Sequence, residues 1–270
     1  MNRRHCSRRT SIGLALAAFA FLMLYSVMPP GARAARAETL VVATDTAFLP
    51  FEFKENGKYA GFDMDLLDLV TKRMGVSYSL LPMDFSNIFA NLTAGKVDMA
   101  IAGISITQDR ERSMDFSDPY FRSDISLVVA QDNTDIQRFG DLAGKRIGLK
   151  RGTDAVEYVS RTVPTARTSY FQNMDGGFPY LELAAGRLDA LVHDTANVRY
   201  YTANKGKGLV KVVDTVVTGN NFYAMAFPKH SALTQRVNAA LRETIQSGQY
   251  ADIYRKWFGV APDPDRLIIH

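Results

Sequence analysis

Ala94-Gly95-Lys96-Val97-Asp98-Met99-Ala100-Ile101-Ala102-Gly103 has a counterpart in Ala185-Gly186-Arg187-Leu188-Asp189-Ala190-Leu191-Val192-His193-Asp194. Each stretch reads as a helix end, a tight glycine turn and an apolar strand whose last residues face outward. Taken singly, any αβ unit has this form, so the flanking order has to decide. Before the first copy come a β-branched strand at 39–44, a helix carrying Phe62, Leu66, Val70 and Met74 on one face and stopping at Gly75, a strand at 76–81, and a helix at 85–94; the copy itself supplies a strand at 97–102. The same grammar restarts after residue 140, with a strand at 146–149, a helix at 153–162, a strand at 168–171, a helix up to Ala185 and a strand at 188–192. Strands alternating with helices at this spacing argue for βαβ units and mostly parallel sheets. The expected fold is α/β, with two similar lobes.

Between the halves, residues 125–130 read as a strand, and the extended run 222–227 brings the chain back to the first lobe. Two crossings of this kind make a hinge that bends without tearing the chain. The expected lobes are therefore 38–122 with 223–270, and 123–222. Leu233, Val237, Leu241 and Ile245 recur in steps of four and predict one helix within 231–258, packed on the first lobe. Ligands of open parallel sheets sit beyond the carboxyl ends of the strands. Polar residues fall there in both copies: Gly103-Ile104-Ser105 in one and His193-Asp194-Thr195 in the other. Two such edges facing each other would surround a small solute.

The N-terminus has a different purpose. Arg3, Arg4, Arg8 and Arg9 precede an apolar run at 12–25; Pro29, Pro30 and Gly31 follow, then small-x-small sites ending at Ala34 and Ala37. That layout predicts a secretory signal peptide over 1–37, cleaved after Ala34 or Ala37, and a periplasmic protein. The apolar run is short of the ~20 residues that span a bilayer. Arg8-Arg9 raises a twin-arginine route, which Thr10, Ser11 and Ile12 fit loosely. Residues 1–37 carry six of the 32 basic residues and none of the 28 acidic ones, leaving 26 against 28. The formal charge of +4 thus belongs to targeting, and a nucleic-acid partner is not expected. Cys6, the sole cysteine, leaves with the leader, so burial of apolar area has to hold the fold.

Several segments resemble a known family. They are 40–48 (Leu-Val-Val-Ala-Thr-Asp-Thr-Ala-Phe), Pro50-Phe51-Glu52-Phe53, Gly61-Phe62-Asp63-Met64-Asp65, Pro82-Met83-Asp84-Phe85, Ala102-Gly103-Ile104, Asp115-Phe116-Ser117-Asp118, His193-Asp194-Thr195 and Lys256-Trp257-Phe258-Gly259. From Thr39 to Gly259 the chain looks like the periplasmic solute-binding proteins for polar amino acids (extracellular solute-binding family 3), most closely the glutamine binders. The resemblance implies the two-lobed periplasmic-binding-protein fold, a monomer working with an ABC-transporter permease, and a ligand held in the cleft by hinge closure. It implies neither a cofactor nor a metal.

An α-amino acid presents a carboxylate and an ammonium. The resemblance places Arg110 on the carboxylate, where a guanidinium makes two parallel charge-assisted bonds; by itself Asp109-Arg110-Glu111-Arg112 reads equally as a solvated helix face. Asp194, the Gly103 carbonyl and the Ser105 hydroxyl would take the ammonium, Ser105 standing where Thr is expected, and Asp194 also suits a helix N-cap. Asp45, Lys150 and His193 would read the side chain: Lys150 donates to an amide oxygen, Asp45 accepts from the nitrogen, and neutral His193 does either. Such a site rejects glutamate, whose carboxylate would face Asp45. Phe48 and Phe85 would sandwich the aliphatic stem. Asp154 stands where the glutamine binders are expected to carry Gly; its backbone N–H remains suited to the carboxylate, while its side chain is a second negative charge nearby.

Rival readings are a glutamate, histidine or basic-amino-acid binder, a dehydratase of the same fold, and a sensory domain. Lys150 argues against a lysine-type pocket. His193 beside Asp194 is an acid–base pair, but the four histidines show no metal spacing. A sensory domain needs a fused membrane or signalling segment, and none is recognised.

Overall fold

Apolar residues fill Thr39–Asp45 (β1) with little alternation, and the strand is buried on both faces between two parallel neighbours. The structure, a computed structural model, describes residues 38–175, 177–216 and 222–263. The expected signal peptide over 1–37, with its cleavage sites and Cys6, lies outside the described residues.

A hairpin of β2 (Phe53–Glu55) and β3 (Lys58–Ala60) leads from β1 into α1 (Phe62–Met74). Asp63 and Asp65 in the first turn of α1 and Lys72 and Arg73 in its last turn complement the helix dipole. Gly75 closes it in the left-handed conformation at φ 68°. Then follow β4 (Ser77–Met83), α2 (Phe85–Thr93), β5 (Met99–Ala100), α3 (Gln108–Glu111) and β6 (Met114–Phe116). The strand expected at 97–102 shortens to β5. Its ladder with β1 continues through the amides of Asp98 and Ile101, but Gly103, at φ 54°, turns the chain out of the sheet.

The chain crosses through β7 (Phe121–Arg122) into β8 (Ile125–Ala130), then runs β9 (Arg146–Lys150), α4 (Asp154–Thr162), β10 (Arg167–Phe171), α5 (Phe178–Ala184), β11 (Ala190–Asp194), α6 (Thr195–Ala203) and β12 (Val210–Val216). It returns through β13 (Phe222–Tyr223) to β14 (Ala226–Pro228), α7 (Leu233–Gln246) and α8 (Gln249–Phe258). β12 is absent from the sequence reading; it is an edge strand with a register shift between Val212 and Asp214, which blurs any two-residue period. The single helix expected within 231–258 is two, because Gly248 takes a left-handed φ of 81° between them. A helix interior cannot hold that conformation.

Two five-stranded sheets result, in the orders β4-β1-β5-β14-β6 and β10-β9-β11-β8-β12. In each, three parallel strands are followed by one antiparallel strand, β14 or β8. That reversed strand is the one entering straight from a crossing, and the crossings themselves pair antiparallel, Phe121 with Tyr223 and Arg122 with Phe222. Alternation puts Leu40, Val42, Met99 and Ile101 in one core and Ala43, Ala100, Ile88 and Leu92 in the other, on opposite faces of the first sheet. Leu127, Leu149 and Val192 against Val128 and Leu191 do the same in the second. Each sheet with its helices thus makes one α/β lobe, and the carboxyl ends of β1, β5, β9 and β11 meet at one cleft.

Candidate ligand site between the lobes

Asp45 ends β1, fully buried, and its Oδ1 accepts the Thr46 amide at 2.7 Å. The loop beyond folds Phe48 onto Phe51, rings 5.1 Å apart. Phe48 also comes against Gly103. A Cβ on Gly103 would lie 2.4 Å from Cε1 of Phe48, and the φ of 54° disfavours any side chain, so only glycine lets the backbone come this close. The Gly103 amide donates to Oδ2 of Asp63 at 2.9 Å, and the same oxygen takes the Tyr120 hydroxyl at 2.8 Å. Burial pushes the Asp63 carboxyl up to about 7.

Arg110 lies in α3, whose N-cap Thr107 accepts the Arg110 amide at 3.3 Å. Asp109 and Arg112 pair with each other in solvent, but Arg110 itself is 8% exposed. Its Nη1 donates to the Ser105 carbonyl at 2.6 Å and its Nη2 across the cleft to the Gly152 carbonyl at 3.0 Å. The guanidinium sits 4.5 Å from the Phe89 ring centre and 5.7 Å from that of Phe85. The charged stretch is not a uniformly solvated face; one of its four residues turns inward.

From the second lobe, Lys150 ends β9 and forms an ion pair with Asp45, its ammonium 4.7 Å from the Phe48 ring centre and 5.3 Å from that of Phe85. Burial favours the neutral amine, yet Asp45 and Asp175 hold its pKa above the ordinary lysine value. His193 and Asp194 are the last residues of β11. Asp194 occupies the N-cap position of α6 but makes no side-chain cap bond. Its Oδ1 takes the Tyr223 hydroxyl at 2.6 Å instead, and its Oδ2 lies 3.1 Å from Nδ1 of His193, without hydrogen-bond geometry. Burial would raise the Asp194 carboxyl; His193 and Tyr223 bring it below the ordinary range. Both ring nitrogens of His193 are buried without a hydrogen-bond partner.

Asp154 opens α4 and is 8% exposed. Its Oδ1 accepts the Ala155 amide at 3.0 Å, while Oδ2 is buried without a well-formed hydrogen bond. Burial and the nearby Asp194 push the carboxyl up to about 6, with Arg110 opposing.

Nine of the ten residues singled out in the sequence line one narrow cavity of roughly 10 Å³: Phe48, Phe85, Gly103, Ser105, Arg110, Lys150, Asp154, His193 and Asp194. Asp45, the tenth, reaches it through Lys150. That is room for about one water molecule, so a ligand enters this space only when the two walls move apart. Among the described residues, no group of three or more His, Cys, Asp or Glu side chains is arranged to hold a metal ion.

Some neighbours escaped the sequence reading. Ala102 and Thr153 complete the lining. Outside the cavity, the Leu49 amide donates to Oδ2 of Asp175 at 2.5 Å, and Nδ2 of Asn197 donates to the Leu49 carbonyl at 2.6 Å and to Oδ1 of Asp175 at 2.8 Å. These bonds tie the β1 loop of one lobe to the other. No spacing signals them, because Leu49, Asp175 and Asn197 sit in three unrelated segments.

Residues 40–260 match the family described as bacterial extracellular solute-binding proteins, family 3. The lysine/arginine/ornithine-binding periplasmic protein of Escherichia coli (strain K12) is 31% identical over 232 residues, 83% of this chain and 89% of that one. Among solved structures, the arginine-, lysine-, histidine-binding protein ArtJ of Geobacillus stearothermophilus aligns with a TM-score of 0.79 at 38% identity, covering 85% of this chain and 99% of that one. An ancestral arginine-binding protein bound to glutamine aligns at 0.76 and 39%, covering 82% and 98%. The two-lobed α/β fold is thus shared over more than four fifths of the chain, and the chain belongs to the bacterial extracellular solute-binding proteins of family 3.

Proposed function

We propose that this protein is the periplasmic amino-acid-binding component of an ABC-type uptake system, and that its ligand is L-glutamine. The observation that carries this reading is the placing of Arg110 and Asp194, oppositely charged and buried, on the walls of one small cavity. A zwitterion answers both, its carboxylate on Arg110 and its ammonium on Asp194 with Ser105 and the Gly103 carbonyl. Phe48 and Phe85 flank the stem. At the far end Lys150 is the donor that an amide oxygen requires, and Asp45, which lies behind Lys150, would accept from the amide nitrogen once the ligand comes between them. The lobes 38–122 with 223–270, and 123–222, close by bending at the paired crossings, and the closed face docks on the permease.

The names of the relatives favour a second ligand class, the basic amino acids. Against it stands Lys150, whose ammonium already occupies the cavity end where a guanidinium or a second ammonium would have to sit. That repulsion would be felt at low effective dielectric.

Calorimetric titration of the exported protein with the twenty amino acids tests the reading. Glutamine should bind tightly and glutamate weakly. Tight binding of arginine or lysine with none of glutamine would replace glutamine by the second class, and product formation during incubation would sink the transport reading.

A further inference from the structure

Five charged side chains surround the cleft, and they do not balance. Asp45 and Lys150 neutralise each other across it. What remains is Arg110 against Asp154 and Asp194, all three buried. Resting on the reading above, an α-amino acid brings one charge of each sign. Its carboxylate satisfies Arg110 and its ammonium satisfies Asp194. Asp154 is then left over, at the carboxylate end of the ligand, in a space that closure seals from water. Its Oδ2 has no well-formed hydrogen bond even before a second carboxylate arrives.

A buried, uncompensated carboxylate costs several kcal/mol. Two carboxylates facing one guanidinium relieve that cost by sharing a proton. We infer that Asp154 makes ligand capture proton-linked: the site takes up an amino acid together with one proton from solvent, held between the Asp154 carboxyl and the α-carboxylate of the ligand. The protonated Asp154 becomes an O–H donor to the ligand instead of a repelling charge. Asp154 is thus a specificity-determining residue, favouring capture in acidic surroundings.

The groups facing Asp154 are consistent with this. Arg110 approaches from α3 and Ser105 from the loop after β5; Asp194 and His193 come from the end of β11, Tyr223 from the return crossing, and Lys150 from the end of β9. Glu157, one turn along α4, is exposed. None of the cations is free for Asp154: Lys150 is held by Asp45, and Arg110 is the partner the ligand needs. The carboxyl already lies near 6, and a second anion can only raise it. Asp63, whose buried carboxyl accepts the Gly103 amide and is pushed up to about 7, is a competing source of a titration in this range.

The test is calorimetric titration of the exported protein with L-glutamine, and with L-arginine as a second probe, from about pH 5.5 to about pH 8.5, in buffers of different ionisation enthalpy. The dissociation constant should rise about tenfold per pH unit above about pH 6, with close to one proton taken up per ligand. Asp154→Asn keeps the acceptor for the Ala155 amide, and it should bind more tightly than the wild type at high pH and lose the slope. If its thermal unfolding shows misfolding, Asp154→Ser serves in its place. A flat wild-type profile, or a slope that persists in the variant and so belongs to another group such as Asp63, overturns the inference while leaving the functional reading intact. Failure of both probes at every pH overturns the two together.

Discussion

At Gly95 and Gly186 the chain takes the same left-handed turn, φ 63° and 70°. Three residues on, Asp98 and Asp189 each accept a backbone amide of the neighbouring strand, Val41 and Arg146, both at 2.7 Å. The strands that follow lie in equivalent places in their sheets. Only at the cleft do the two copies part. The first ends in Gly103, with no side chain at all, and presents backbone pressed against Phe48 and anchored by Asp63. The second ends in Asp194, whose carboxylate is aimed by the Tyr223 hydroxyl from the return crossing, not spent on capping α6. One scaffold thus supplies a close-fitting wall on one side and a charge on the other. A site for a zwitterion needs the charge; a site for a small one needs the wall.

Removing the charge should have the largest effect. Asp194→Ala should lower glutamine affinity by about 2–5 kcal/mol, because the ligand ammonium is then buried unpaired. Titration calorimetry reads this directly, and wild-type affinity would show that the ammonium sits elsewhere. Spoiling the wall comes next. Gly103→Ala forces a side chain into a left-handed φ and onto the Phe48 ring, a cost of about 1–3 kcal/mol in stability. Its melting temperature should fall by a few degrees, and an unchanged one would mean that Phe48 moves freely aside. The shared turns should matter least. Asp98→Ala and Asp189→Ala each lose an acceptor for a backbone amide and should cost about 0.5–1.5 kcal/mol. Asp189 also holds the Arg146 guanidinium at 2.6 Å, an exposed pair that adds little. Denaturant midpoints that separate the two variants by several kcal/mol would show that the copies are not mechanically equivalent.

Much of this is legible in the residues. The glycine turns, the alternation of strands with helices and the two crossings follow from local pattern, since a turn needs glycine and a strand buried on both faces needs an unbroken apolar run. β12 and the break at Gly248 were not legible: an edge strand with a register shift carries no clean period, and the glycine sits in a tail whose four-residue rhythm carries on beyond it only weakly. In the site, the resemblance to amino-acid binders singled out ten residues; the fold gathers nine of them around one cavity, with Asp45 behind Lys150. Locally, Arg110 looks no different from Arg112, and Lys150 looks like a strand end.

What the sequence determined by itself is the α/β alternation, the repeated turn, and the residue types available at each strand end. Those depend on contacts within a dozen residues. The tertiary structure decided which of them face one another. It pairs Lys150 with Asp45, turns Arg110 inward while its neighbours stay in water, gives Asp194 to Tyr223, and leaves Asp154 as the odd charge in the cleft. Charge balance in a buried cavity is a sum over segments far apart in the chain, and only folding brings the terms together.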